Sequence, residues 1–144
     1  MQHLEQAVEQ RLSSEGIRLT RGRRATLQAI ADAGGPRTAA EIQAELSDTI
    51  PLSSLYRSLS VFESAGVLTA QHDSEGIRRF ELAEWLAGHH HHLVCISCGA
   101  TVDVVPNAGQ ERAIEQLIEQ MAAASGFAVT GHRFEIEGRC ASCR

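Results

Sequence analysis

The sequence has 144 residues, which predicts one domain or two small ones. Hydrophobic residues make up 43% and aromatic residues only 4%, so any core must be mostly aliphatic, and no apolar run is long enough to predict a transmembrane helix. The net charge of −5 does not favour nucleic-acid binding by the whole chain, although four arginines concentrate in RLTRGRR at residues 18–24. The polar N-terminus lacks the basic and apolar regions of a signal peptide, so we expect a cytoplasmic protein with reduced cysteines.

Helical periodicity predicts two helices before Pro36. The first covers residues 1–15 and carries its apolar side chains on one face. Thr20 is a suitable N-cap for the second helix, and the pair at residues 34–35, both glycine, ends it.

Two more helices follow. The third begins at Thr38 and packs through Ile42 and Leu46, and the fourth covers residues 52–66 with Ser53 as its N-cap. The apolar face of the fourth helix recurs at helical spacing and consists of Leu52, Leu55, Leu59 and Phe62.

Residues 67–82 alternate as two short strands joined by a turn at residues 73–76, from Asp73 to Gly76. Three helices followed by a β-hairpin outline a winged helix-turn-helix domain. A small helical domain with a hairpin and no affinity for DNA fits the same pattern.

The composition changes after a connector at residues 83–88. Residues 89–105 predict strand, tight turn and strand, residues 107–126 an amphipathic helix, and residues 127–144 a closing strand with a second cysteine pair. The fold class is therefore α+β, a winged helix-turn-helix followed by a small α/β domain. We assign residues 1–83 to the first domain, 84–88 to a hinge and 89–144 to the second domain.

All the cysteines fall in two C-x-x-C pairs, Cys95 with Cys98 and Cys140 with Cys143. Two such pairs complete a tetrahedral zinc site, which has no open position and therefore stabilises the fold without doing chemistry. A thioredoxin-like dithiol is the alternative, but it places C-x-x-C at the start of a helix, whereas both pairs here follow strand-like runs.

Four consecutive histidines, at residues 89–92, precede the first cysteine pair. An expression tag would be terminal, and this run is internal. Side chains alternate between faces in an extended chain, so His89 and His91 point one way and His90 and His92 the other. One stretch thus supplies two further sites with nitrogen and oxygen ligands, for which the candidate partners are His72, Glu81, Glu84, Glu111, Glu115 and His132.

Five motifs, in this order, carry a resemblance to the ferric uptake regulator (Fur) family of metal-responsive repressors: GIRLTRGRRATL, TAAEIQAEL, SSLYRSLSVFESAGVL, HHHHLVCISCG and GHRFEIEGRCASC. The resemblance covers residues 16–143. It implies an N-terminal winged helix that binds DNA, a hinge, a C-terminal domain that forms a homodimer, and structural zinc on the four cysteines.

The resemblance also assigns the two histidine sites. A hinge sensor site would use Glu81, with Glu84 as alternate, together with His90 and His92. A second site, within the dimerisation domain, would use His89, His91, a strand histidine at His132 and a helix glutamate, Glu115 or alternatively Glu111.

The chain departs from the family at the hinge. A family histidine before the third helix is replaced by Arg37, which cannot bind metal, so His72 is a candidate to complete the sensor site. No cysteine is spare for this site. Nitrogen and oxygen ligands suit iron, manganese, nickel or zinc, and affinity alone does not select among them.

The recognition helix of a helix-turn-helix enters the major groove with its N-terminal residues at the base edges. The candidates here are Ser53, Ser54, Tyr56 and Arg57, although Tyr56 would also fit a core and Arg57 a solvated surface. The resemblance implies a minor-groove or backbone contact for Arg18, and phosphate neutralisation is expected of Arg21, Arg23 and Arg24.

Together these features predict a homodimeric repressor that binds a palindromic double-stranded DNA operator when its sensor site holds metal. No arrangement of nucleophile and base indicates catalysis. The alternative is a zinc-dependent enzyme or a metal-carrier protein that uses the histidines, which would leave the recognition-helix motif unexplained.

Overall fold

The computed structural model describes residues 2–72 and 75–144. The chain divides into two compact units, of which the first ends at Gly88 and the second begins at His89. The residues predicted to be a hinge, 84–88, thus fall within the first unit. No helix in the described part of the chain is long and apolar enough to span a membrane.

The first unit combines five helices with a small antiparallel sheet whose strand order is β1-β3-β2. Its elements, in chain order, are α1 (Gln2–Ser14), α2 (Arg21–Ala31), β1 (Arg37–Thr38), α3 (Ala39–Leu46), α4 (Leu52–Ser64), β2 (Leu68–His72), β3 (Arg78–Leu82) and α5 (Glu84–Ala87). This is the predicted winged helix-turn-helix, with β1 as a strand that the sequence did not indicate. Residues 73 and 74 of the predicted turn lie outside the described residues.

Side-chain caps fix the starts of two helices as predicted. The Thr20 hydroxyl accepts a hydrogen bond from the backbone N–H of Arg23, and Thr38 forms a reciprocal capping box with Glu41. The second helix ends at Ala31 with Asp32 as its C-cap, a little earlier than the predicted glycine pair.

The start of α4 differs from the prediction in two respects. Its N-cap is Pro51 rather than Ser53. The proline ring fixes φ near the observed −66°, and the preceding loop ends at this residue, so the helix begins at the next one. Leu52 is then the first residue of the helix and is 51% exposed, so it does not belong to the core as its spacing suggested.

The core of the first unit is mostly aliphatic, with two phenylalanine rings, Phe62 and Phe80. Leu55, Leu59 and Phe62 of α4 are buried as predicted, and Val8 and Leu12 of α1 are fully buried in the same cluster. Burying side chains of this size stabilises the folded state by roughly 1.5–3 kcal/mol each. The N-terminal helix is therefore an integral part of the domain.

Hydrogen bonds fasten two other segments to the C-terminal end of α4. The Arg11 Nε atom donates to the carbonyl oxygen of Ala65 at 2.7 Å, and the indole Nε1 of Trp85 donates to the carbonyl oxygen of Gly66 at 2.7 Å. Gly66 has φ of 65°, the left-handed conformation that glycine adopts without strain where it ends a helix. The start of α5 is thus fastened to the C-terminal end of α4.

The second unit contains one helix and a three-stranded mixed sheet of order β5-β4-β6. Its elements are β4 (His91–Cys95), β5 (Thr101–Val104), α6 (Ala108–Ala124) and β6 (Glu135–Gly138). The pairs β4–β5 and β4–β6 are antiparallel and parallel respectively, and a parallel pair needs a crossover, which contains α6. Asn107 begins that helix with a capping box to Gln110.

One face of this sheet leaves an apolar row uncovered. Val102, Leu93 and Ile136 stand side by side across β5, β4 and β6, and they are 53%, 41% and 49% exposed. The helix α6 has no buried residue, and its Leu117 and Met121 are more than half exposed. The second unit therefore presents apolar surface of the kind that protein–protein interfaces bury.

Candidate metal centres and DNA-binding surface

The four cysteines converge at one end of the second unit. Their sulfur atoms all lie within 4.8 Å of one another, and Cys98 Sγ is 3.8 Å from Cys140 Sγ. Sulfurs placed tetrahedrally at about 2.3 Å from a zinc ion would be about 3.8 Å apart, so the group fits structural zinc. The backbone N–H of Cys140 also donates to Cys95 Sγ at 3.3 Å, an interaction typical of cysteine turns that bind metal.

These backbone donors change the acidity of the thiols. N–H groups of Cys140, Cys98 and Ser97 lower the pKa of Cys95 to about 6. Hydrogen bonds with the sulfurs of Cys140 and Cys98 instead raise the pKa of Cys143 to about 12. The Cys95 thiolate therefore forms near neutral pH. The Cys143 thiol loses its proton readily only when a metal cation binds its sulfur.

A second group lies where α6 begins. Glu111 is one turn into α6, and its carboxylate oxygens lie 3.1 Å from the Nε2 atoms of His89, His91 and His132. The His132 Nε2 atom is buried and faces the Glu111 carboxylate, so both groups could bind the same cation. Three imidazoles and one carboxylate form a donor set that suits a divalent transition metal.

The position of the glutamate favours one of the two alternatives that the sequence left open. Glu115 is exposed one helical turn beyond Glu111, and it is Glu111 that reaches all three histidines. The capping box sets the phase of α6 and turns its first acidic residue towards β4. His132 also differs from the prediction, because it precedes β6 by three residues instead of lying in a strand.

The charge of Glu111 is maintained by its neighbours. Burial by itself raises the pKa of this carboxyl group. The hydrogen bond with His91 and the proximity of His89 and His132 lower the pKa by more than burial raises it, so the net shift is downward. Glu111 is therefore ionised at any pH at which the histidines are neutral enough to bind metal.

His90 and His92 form the third group, on the opposite side of the histidine run. Their ring centroids are 5.1 Å apart, and His92 Nε2 lies 3.5 Å from Asp103 Oδ1. The ligand atoms of these three residues lie within 4.8 Å of one another. The alternation predicted for the histidine run is thus present, and each face meets one acidic residue.

Asp103 was missed by the sequence interpretation. It lies on β5 directly opposite His92 in the antiparallel pair, so its role depends on the register between the strands. Counting outward from the turn along both strands would have placed a β5 residue opposite His92. That count requires the length of the turn, which the sequence does not give.

The other predicted ligands belong to the first unit. Glu81 is in β3, is buried, and accepts hydrogen bonds from Gln71 Nε2 and, at 3.4 Å, from Thr69 Oγ1. His72 is exposed at the end of β2, and Glu84 is exposed at the start of α5. Arg37 forms ion pairs with Glu41 at 3.7 Å and with Glu45 at 3.8 Å.

The candidate recognition helix exposes the side chains predicted to reach DNA. Tyr56 is 55% exposed, so the interpretation that it fills the core is wrong, and Arg57 is exposed beside it. Ser53 is exposed and Ser54 is partly buried in the first turn of α4. Leu52 and Tyr56, one turn apart, add an apolar pair suited to thymine methyl groups.

The arginine cluster is divided by its intramolecular contacts. Arg18 and Arg21 are exposed, whereas Arg23 Nη1 donates to the carbonyl oxygen of Arg18 at 2.5 Å. Arg24 forms an ion pair with Glu5 of α1, so its charge is already partly compensated. The four arginines therefore differ in their availability to phosphate groups.

Comparison with known sequences agrees with this architecture. A sequence profile described as the Ferric uptake regulator family matches residues 14–137. The ferric uptake regulation protein of Legionella pneumophila is 30% identical over 139 residues, covering 94% of this chain and 97% of that protein. A peroxide-responsive repressor of Staphylococcus aureus is 31% identical over 150 residues, covering all of this chain and 96% of that protein. The match to the Vibrio cholerae ferric uptake regulation protein, at 35% identity, spans 68% of this chain and 61% of that protein.

Solved structures give the same result. The Vibrio cholerae ferric uptake regulator superposes with a TM-score of 0.72 at 30% identity, covering 92% of this chain and 98% of that one. A zinc-bound manganese uptake regulator has a TM-score of 0.72 at 26% identity, with coverage of 92% and 97%. The Helicobacter pylori ferric uptake regulator shares the fold, with a TM-score of 0.78 at 19% identity and coverage of 99% and 92%.

Proposed function

Because the chain belongs to the ferric uptake regulator family, whose members are dimeric, DNA-binding, metal-responsive transcription regulators, we propose that it represses metal-homeostasis genes when a sensor site is loaded with metal. The observation that carries this proposal is the alternation of His89–His92, which supplies two separate nitrogen and oxygen donor sets in a chain that also has a winged helix.

The family relationship supports regulation rather than catalysis. A metal-dependent enzyme or a metal carrier would explain the histidines, but it gives no role to the exposed face of α4. The four-cysteine group offers no open coordination position once four sulfurs are bound, so its zinc would contribute stability alone.

We assign the sensor site to His90, His92 and Asp103 in the second unit, together with Glu81 in the first. The family resemblance supplies the assignment of Glu81, and Asp103 is added by its position opposite His92. A divalent metal held by ligands from both units would restrict their relative motion. The restricted dimer would then dock both recognition helices with a smaller loss of conformational entropy.

The other donor set, His89, His91, His132 and Glu111, lies wholly within the second unit. A metal bound there would not join the two units, so we expect it to stabilise the second unit and to adjust the response indirectly. His72 and Glu84 remain candidates to complete the sensor coordination.

The uncovered apolar surface of the second unit supports homodimerisation through that unit. The row Val102, Leu93 and Ile136, together with Leu117 and Met121 of α6, would be buried against a second copy of the chain. A twofold dimer carries two recognition helices related by the same axis, which matches a palindromic DNA operator.

The test compares two histidine substitutions, each of which removes one ligand from a different donor set. His90→Ala should abolish metal-activated binding to an operator duplex, because it removes a ligand from the set that includes Glu81. His132→Ala should weaken the metal response but retain it. Both variants should keep the dimer and one structural zinc per chain.

The measurement is DNA affinity by fluorescence anisotropy during titration with Mn²⁺, Fe²⁺ or Zn²⁺. An inactive His132→Ala variant beside a normally responsive His90→Ala variant would reverse the assignment of the two sites. Wild-type protein that shows no metal-dependent affinity for DNA would contradict the function itself.

A further inference from the structure

The guanidinium group of Arg57 is oriented by a neighbouring hydroxyl. Arg57 Nη2 donates a hydrogen bond to Ser54 Oγ at 3.1 Å, across the three-residue spacing that makes side chains neighbours on a helix surface. We propose that Ser54 is a positioning residue that orients Arg57 for base recognition and does not itself read the DNA. This inference rests on the proposed function, in which α4 enters the major groove.

The backbone of Ser54 is fixed from both directions. Its N–H donates to the carbonyl oxygen of Pro51 at 2.9 Å, and its carbonyl oxygen accepts from Ser58 Oγ at 2.9 Å. The N-cap of α4 is Pro51, and no side chain caps the helix, so the Ser54 hydroxyl is not used as a cap. The oxygen that accepts from Arg57 therefore has a well-defined position in the first turn.

A neutral partner suits an arginine that must bind DNA. Arg24 is held by the carboxylate of Glu5, which compensates its charge as well as orienting it. A serine hydroxyl restricts the Arg57 rotamers but leaves the full positive charge. It uses one of five N–H donors, so the remaining donors can still form the paired hydrogen bonds that recognise guanine O6 and N7.

Orientation should affect sequence preference more than general affinity. An unrestrained arginine has many rotamers, most of which contact phosphates or solvent, and ordering them opposes base recognition. Removing the Ser54 hydroxyl should therefore reduce discrimination at the base pair read by Arg57 by about 2- to 12-fold, the range equivalent to one hydrogen bond. Binding to unrelated sequences should not change.

The experiment uses Ser54→Thr and Ser54→Val, which have the same shape and differ in the hydroxyl group. Ser60→Ala is a control for loss of an exposed hydroxyl from a later turn of α4. Each full-length, metal-loaded variant is applied to a library of duplexes with randomised half-sites, and bound sequences are counted. Ser54→Thr and Ser60→Ala should retain the wild-type preference, and Ser54→Val should lose it at one base pair of each half-site.

A double substitution separates positioning from direct contact. If Ser54 acts through Arg57, Ser54→Val should have no further effect on base preference when Arg57→Ala is also present. An equal loss with and without Arg57, or an unchanged preference in Ser54→Val, would overturn the inference while the wild type still discriminates. If the metal-loaded wild type shows no sequence preference, the proposed function fails and the inference fails with it.

Discussion

At the scale of single residues, the metal sites depend on side-chain placement that sequence spacing leaves open. Glu111 and Glu115 differ by one helical turn, and both are acidic residues on α6. Only Glu111 reaches His89, His91 and His132, because the capping box at Asn107 sets where the helix begins. This pair of glutamates provides a matched test.

We predict that Glu111→Gln weakens metal binding at the second site by tenfold or more, since it removes an anionic ligand. Glu115→Gln should leave affinity unchanged. Isothermal titration with Zn²⁺, using protein whose four-cysteine site is already filled, measures both variants under the same conditions. Equal weakening by the two substitutions would contradict the assignment of Glu111.

Acidification should release metal from this site through its histidines. The pKa of Glu111 is lowered, so its carboxylate remains charged as the pH falls, whereas imidazole in general protonates near pH 6.5 and then cannot bind metal. We predict that the affinity for Mn²⁺ decreases below about pH 6 in wild type and in Glu115→Gln alike. Affinity that stays constant to pH 5 would contradict histidine coordination.

At the scale of secondary-structure elements, α1 and α2 determine which arginines are available to DNA. Glu5 of α1 pairs with Arg24 of α2, whereas Arg21 is exposed at the first position of the same helix. A sequence cluster of basic residues is therefore not a cluster of equivalent phosphate contacts.

The salt dependence of DNA binding distinguishes these two arginines. Each neutralised phosphate contributes about −0.9 to the slope of log affinity against log salt. Arg21→Ala should make the slope shallower by about that amount, whereas Arg24→Ala should leave it nearly unchanged. Glu5→Gln should steepen the slope by releasing Arg24. Equal slopes for Arg21→Ala and Arg24→Ala would show that the ion pair does not limit Arg24.

Much of this architecture follows from the sequence because it depends on local patterns. Helix periodicity, the Thr20 and Thr38 caps and the C-x-x-C spacing each act within a few residues. Two assignments required the structure, namely Asp103 as a partner of His92 and the choice of Glu111 over Glu115, and both residues lie on elements other than the histidine strand. Strand register and helix phase place them, and neither leaves a local pattern to recognise.

At the scale of the whole molecule, the four cysteines connect the two ends of the second unit. Cys95 and Cys98 follow β4, and Cys140 and Cys143 follow β6, so zinc on these sulfurs would close the part of the chain that contains α6. The second unit has little buried apolar surface of its own, so a cross-link of this kind is expected to contribute a large share of its stability.

We predict that Cys95→Ser loses one zinc per chain and lowers the melting temperature of the second unit together with dimer formation. The buried sulfur cannot be replaced by a hydroxyl of comparable affinity for zinc. Elemental analysis, thermal denaturation and sedimentation test this, with Ser97→Ala on the same turn as a control. Unchanged zinc content in Cys95→Ser would contradict a four-cysteine site.

The histidine run does not by itself define how β4 aligns with β5 and β6. If β4 slipped by one residue against β5 and β6, the two faces would exchange, yet each face would still carry two of the four histidines. Four identical ligands in succession therefore cannot specify which pair belongs to which metal. Cys95 lies in the same strand and does specify the register, because a slip would turn its sulfur away from the other three sulfurs. Zinc on the cysteines would thus fix the register of β4 and so determine which pair of histidines lies on which face.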